Sequence, residues 1–159
     1  MDSTDDKPGK YLVCMDGSEP ARVALHFACK KALKRGGVVE ILHVITPADT
    51  QNLFGVMTKM REEQRQEAEI LMKSLSESAF QNAGVTPTVQ IREGRLGEEI
   101  INATLEDSNV NMLVVGVSRK SQTKSNLINW LAEKLGDRLL IPLMLVPGNL
   151  TDLQIEELS

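Results

Sequence analysis

The 159-residue chain suits one domain with a core of its own, and 42% hydrophobic with 25% charged residues is the balance of a soluble globular protein. A formal net charge of −4 excludes a general nucleic-acid binder, which needs a basic face, and an aromatic content of 3% makes the core aliphatic. No stretch approaches the ~20 apolar residues of a membrane span, and the two cysteines, Cys14 and Cys29, match no zinc or redox spacing and read as core packing.

Residues 1–10 are polar, carry Asp2, Asp5 and Asp6, and lack the basic-then-apolar order of a signal peptide, so they read as a flexible tail on a cytoplasmic protein. Tyr11 to Met15 is a short apolar run stopped by Asp16-Gly17-Ser18, the pattern of a buried strand ending in a turn. Ser18 is placed to cap a helix with Pro20 in its first turn. Ala21, Ala24, Leu25, Ala28, Ala32 and Leu33 repeat at helical spacing up to Gly36-Gly37. Val38 to Ile45 is a second buried strand, broken by Thr46-Pro47.

The connection from Thr46 to Val56 is long for a βα link, where about two to six residues is usual. Its apolar Leu53 and Phe54 are read as tucking back onto the following helix, with a site-covering or partner-binding flap as the alternative. That helix runs from about Met57 to Ala83, with Met60, Ala68, Leu71, Leu75 and Ala79 on its apolar face. Pro87 to Arg92 alternates like a strand nearer an edge. A helix over about 97–107 follows, then a strand at Met112 to Val115 stopped by Gly116. A helix over about 125–135, with Leu127, Leu131 and Leu135 four apart, leads to a last strand at Leu143 to Val146 between Pro142 and Pro147. In the 148–159 tail, Thr151 and Gln154 have capping-box spacing and predict a short acidic helix, docked on a partner subunit.

Strict alternation of helices with all-aliphatic strands predicts an α/β fold: a doubly wound, five-stranded parallel sheet with helices on both faces. The span 11–147 forms the domain. A strand framed by prolines belongs at a sheet edge, and an exposed aliphatic edge invites pairing with a second copy, so a homodimer through strand 143–146 is expected. His26 and His43 have no metal-ligand spacing and read as structural. The chain has no Gly-x-Ser-x-Gly, no Walker Gly-Lys-Ser/Thr and no Cys-x-x-Cys, which leaves hydrolase, redox and metal chemistry without a motif.

The run Val13-Cys-Met-Asp-Gly-Ser-Glu-Pro-Ala-Arg-Val-Ala-Leu25 resembles the opening of a universal stress protein. Similar to that family also are Leu42-His43-Val44, Gly94 with Glu98-Glu99-Ile100-Ile101, Leu113-Val-Val-Gly116 and Pro142-Leu-Met-Leu-Val146-Pro147. The resemblance covers Tyr11 to Pro147 and implies strand order 3-2-1-4-5, a homodimer and a role in stress response rather than a metabolic reaction. It implies further that, in members that bind ATP, the counterpart of Asp16 approaches the nucleoside, the backbone at Val44 meets the adenine, and the loop after strand four wraps the phosphates.

In that loop the family spaces a glycine, a second glycine and a final Gly-Ser/Thr pair. Here Gly116 fits the first position, Arg119 takes the second, and Asn129 and Trp130 take the last two, with no glycine between Gly116 and Gly136. Arg119 resists the backbone angles a glycine supplies, and Trp130 is far larger than a hydroxyl residue, so the family's phosphate cradle is expected to be missing. The counter-reading is an electrostatic clamp of Arg119, Lys120 and Lys124. A solvated basic loop is the reading taken here.

The expectation is therefore a dimeric, non-enzymatic stress-response protein acting through protein contacts, with no cofactor. The alternative is an ATP- or AMP-binding sensor using Asp16, Val44, Gly116 and Arg119. No nucleic acid, membrane or metal is expected in either case.

Overall fold

The computed structural model describes residues 8–47, 54–118, 133 and 137–159. Its elements follow in the order β1 (Lys10–Cys14), α1 (Glu19–Arg35), β2 (Val38–Ile45), α2 (Phe54–Ala83), β3 (Thr88–Glu93), α3 (Leu96–Glu106), β4 (Val110–Val117), β5 (Leu143–Pro147) and α4 (Asp152–Leu158). The strands form one sheet in the order β3-β2-β1-β4-β5, and every pair is parallel.

Local chemistry sets the element ends. Ser18 Oγ accepts the Ala21 N–H at the start of α1, and Gly36 closes that helix in the left-handed conformation. Thr151 and Gln154 complete the anticipated capping box of α4, each side chain bonding the other's backbone N–H.

Alternation along the strands divides the core in two. Val13, Met15, Val39, Ile41, Val114 and Val146 face α1, α2 and α4. Leu12, Leu42, Leu113 and Val115 face the other way, onto Ile100, Ile101 and Ala103 of α3. Among the described residues the core is almost wholly aliphatic, Phe27 being the one aromatic buried in it. Cys29 is buried and Cys14 partly so, and burial pushes both thiols up to about 12.

The structure departs from the sequence reading in four places. β4 starts at Val110 and runs on through Gly116 to Val117 where a stop at Gly116 was expected. The long helix α2 begins at Phe54, inside the segment read as a connection; residues 48–53 and the anticipated helix over 125–135, apart from the helical Glu133, lie outside the described residues. The buried face of α2 is Ala68, Met72, Leu75, Ala79 and Ala83, all in the C-terminal part of this helix, while Met60 nearer its start is exposed. The terminal helix α4 packs on α1 of its own chain, a contact the sequence reading did not anticipate: Ile155 is buried against the α1–α2 layer, and Glu156 pairs with Lys30 and Lys34.

Candidate functional site

In an open parallel sheet, ligands sit beyond the carboxyl ends of the strands where the winding reverses. Strand order puts that point between β1 and β4. The register aligns Cys14 with Leu42 on β2 and Val13 with Val114 on β4. Asp16 lies two residues past Cys14, Val44 two past Leu42, and Gly116 two past Val114, level with Met15, so the three stand at one rim of β1, β2 and β4. Three of the four anticipated residues are brought together; Arg119 lies outside the described residues.

The turn after β1 is tightly tied. Asp16 is exposed, and its Oδ1 accepts the Ser18 N–H at 2.9 Å. This is an Asx turn that hands the chain into the N-cap of α1. Gly17 at its centre has φ 80°, which a side chain would strain. On the neighbouring strand, His43 Nδ1 donates to the Met15 carbonyl at 2.7 Å, and Met15 N–H in turn donates to the Leu42 carbonyl at 2.8 Å. His43 thus holds the turn from the α2 side of the sheet, with the Nδ1 proton fixed by a partner that can only accept. The charge on Asp16 adds to burial in holding the Cys14 thiol protonated, so the rim offers no thiolate nucleophile at neutral pH.

Gly116 has a packing role of its own. A Cβ at this position would lie 2.1 Å from the Pro20 carbonyl oxygen and 2.8 Å from the Ala21 nitrogen. The first turn of α1 therefore rests on the bare backbone of β4. Gly148, just past β5, receives the Pro20 ring in the same way, 2.8 Å from where its Cβ would stand.

At the far end of the rim, Glu93 at the close of β3 takes Arg61 of α2 at 2.5 Å and Arg65 at 3.7 Å. Below it, Arg92 is gripped by Glu106 and Glu99, which hold its guanidinium firmly charged. His43 has the structural role read for it, though its partner was not anticipated, and these arginine clamps were not singled out in the sequence. The parity of β2, with Ile41, His43 and Ile45 on one face, is the signal that could have found His43. The long-range arginine pairs leave no local signal. No group of three or more His, Cys, Asp or Glu able to hold a metal exists among the described residues, and none of their helices is long and apolar enough to cross a membrane.

The family model "Universal stress protein family" matches residues 9–147. No curated protein matches. Among solved structures, the universal stress protein UspA of Lactobacillus plantarum superposes with a TM-score of 0.73 at 14% identity, over 88% of this chain and 98% of that one. The universal stress protein of Archaeoglobus fulgidus in complex with dAMP gives 0.59 at 16% identity, over 87% and 97%. A universal stress protein family protein of Arabidopsis thaliana with AMP bound gives 0.59 at 16% identity, over 89% and 93%.

Proposed function

Since this chain belongs to the universal stress protein family, we propose that it is a non-enzymatic stress-response regulator that works as a homodimer through protein contacts, without the family's ATP site. The observation that carries this reading is the engagement of the rim. Asp16 caps the turn into α1, and Gly116 is occupied by the first turn of the same helix. Both residues have structural work that needs no nucleotide, and the sequence beyond Gly116 holds Arg119, Asn129 and Trp130 where a phosphate cradle needs small residues. The homodimer forms through the free edge of β5, where Leu145 is exposed.

A second reading keeps the nucleotide. The Archaeoglobus and Arabidopsis relatives hold dAMP and AMP, ligands with a single phosphate and so with less need of a triphosphate cradle. In that reading Asp16 and the Val44 backbone take the nucleoside, and Arg119 pairs with the phosphate.

Calorimetry with ATP, AMP and cyclic AMP, with mass analysis of small molecules released from the purified protein, separates the two. No heat at millimolar nucleotide and no co-purifying nucleotide are expected. Micromolar affinity for any of the three overturns the first reading, and its loss in Arg119→Ala would support the second.

A further inference from the structure

A groove of about 270 Å³ runs between α1, α2 and the C-terminal segment, on the outer side of the helix layer. Its floor is apolar, with Val23 and Cys29 of α1 and Leu75 and Ala79 of α2. One rim is basic. Arg22, His26, Lys30 and Lys34 stand four apart on α1 and form one stripe along the helix. The lower part of this stripe is occupied by α4. Glu156 lies 3.5 Å from Lys30 and 3.3 Å from Lys34, Lys34 also donates to the Glu156 carbonyl, and Asp152 is 3.8 Å from His26. Between these two acids, Ile155 enters the apolar floor and is 1% exposed.

α4 is a weak occupant. Seven residues are too few to hold a helix in isolation. Of them only Ile155 is buried, with the terminal Ser159 beside it, while Leu153 and Leu158 are 68% and 61% exposed. The ion pairs that clasp it are open to solvent and are screened by salt.

We propose that the α1–α2 groove with its basic stripe is a docking surface for an acidic amphipathic helix of a partner protein, and that α4 is its displaceable internal occupant. The internal helix specifies the partner's chemistry: an acid, an apolar residue three positions on, and a second acid directly after it, as in Asp152, Ile155 and Glu156. Charge complementarity selects this partner, since Arg22, Lys30 and Lys34 carry positive charge along the stripe and Glu19 is the one acid that lines the groove from α1. The proposal rests on the reading of this protein as one that acts through protein contacts, to which it supplies the contact surface.

The test uses the full chain and a fluorescein-labelled peptide of residues 149–159 as the probe. In the wild type the tethered α4 competes at an effective concentration of about millimolar, so the peptide binds weakly. Glu156→Lys repels the internal helix from Lys30 and Lys34 without touching a buried group, and should tighten peptide binding at least tenfold. Adding Lys30→Glu and Lys34→Glu to that variant restores the internal clasp with reversed charges and should abolish binding. Hydrogen exchange on the wild type should show α4 amides opening at least a hundredfold faster than those of β1 and β4. Equal peptide binding by all three proteins, no binding by Glu156→Lys, or α4 protection equal to that of β1 and β4 overturns the proposal. A wild-type self-association that the peptide dissolves makes a second copy the occupant and overturns it as well. Nucleotide affinity would remove the functional reading and leave the peptide result standing, whereas peptide failure removes only the groove.

Discussion

Asp16 and Gly116 are each accounted for by structure before any ligand is considered. Asp16 bonds the Ser18 N–H and so shapes the entry into α1, and Gly116 lets the Pro20 carbonyl come within a distance that no side chain permits. The two roles belong together, because both set where the first turn of α1 sits against β4. Gly116→Ala must therefore push backbone against backbone, which cannot be relieved by a rotamer change. It should lower stability by about 3 kcal/mol with no ligand present, read as a fall in the urea midpoint at unchanged slope. A loss within ~0.5 kcal/mol, the range of an inconsequential surface change, would show that the helix gives way, and would return Gly116 to the role of a ligand-cradling residue.

At the scale of elements, the ends of the strands are tied by charge as well as by caps. Lys10 at the start of β1 bonds Asp107 at the close of α3 at 2.6 Å, with Glu40 of β2 at 3.8 Å. The hydrogen bond from Lys10, helped by the Asn109 N–H, holds the Asp107 carboxyl below its ordinary 3.8, and the same bond to Asp107 holds the Lys10 amine above its ordinary 10.5. A lowered carboxylate stabilises the fold in full above its unfolded value and loses that contribution as pH falls through the folded value. A raised amine contributes in full below 10.5 and loses its contribution as pH rises through the folded value. Asp107→Asn should thus cost stability by a constant amount between about pH 5 and pH 9, and the gap to the wild type should close below pH 3.8. Chemical denaturation across that range checks it; a gap that widens in acid would mean that the pair does not hold these strand ends.

Much of this layer was legible in the chain. The Ser18 cap, the bounds of β2 and the Thr151-Gln154 box depend on neighbours in sequence, and each stands where local chemistry put it. Met60 could not be placed the same way: its spacing continues the apolar face of α2, yet burial depends on how far the sheet extends beneath the helix. The contact of α4 with α1 of its own chain was missed for a related reason. The acidic character of the tail was legible, but only the fold brings residues 126 apart, such as His26 and Asp152, to 3.8 Å. At the rim, the position of Asp16 followed from the end of the first strand, whereas Gly116 was read as a stop and lies within β4. The closeness of Pro20 to Gly116 is a contact between elements and had no local signature.

For the molecule as a whole, the sheet of the described residues closes on neither side, and its two edges are unlike. The β3 edge ends in charge, with Arg92 and Glu93 engaged by Glu106, Glu99, Arg61 and Arg65. The β5 edge is aliphatic: Leu145 is 45% exposed, Leu140 just before the strand is 79% exposed, and no described strand pairs with its outer side. Such an edge is a template for another chain unless a charge or a proline blocks it. Pro142 and Pro147 stand only at its ends, so the alternate N–H groups of residues 143–146 that point away from β4 remain for a two-fold partner whose identical strand can pair with them. The proposed homodimer follows from this difference between the edges. Because Leu145 already faces solvent, Leu145→Lys should leave the fold intact while placing two ammonium groups against each other across the two-fold axis. Sedimentation equilibrium at micromolar concentration should give twice the chain mass for the wild type and the single mass for Leu145→Lys, with thermal unfolding showing that the variant is folded. A wild type that sediments as a monomer, or a variant that dimerises as well as the wild type, would remove the β5 edge as the subunit contact.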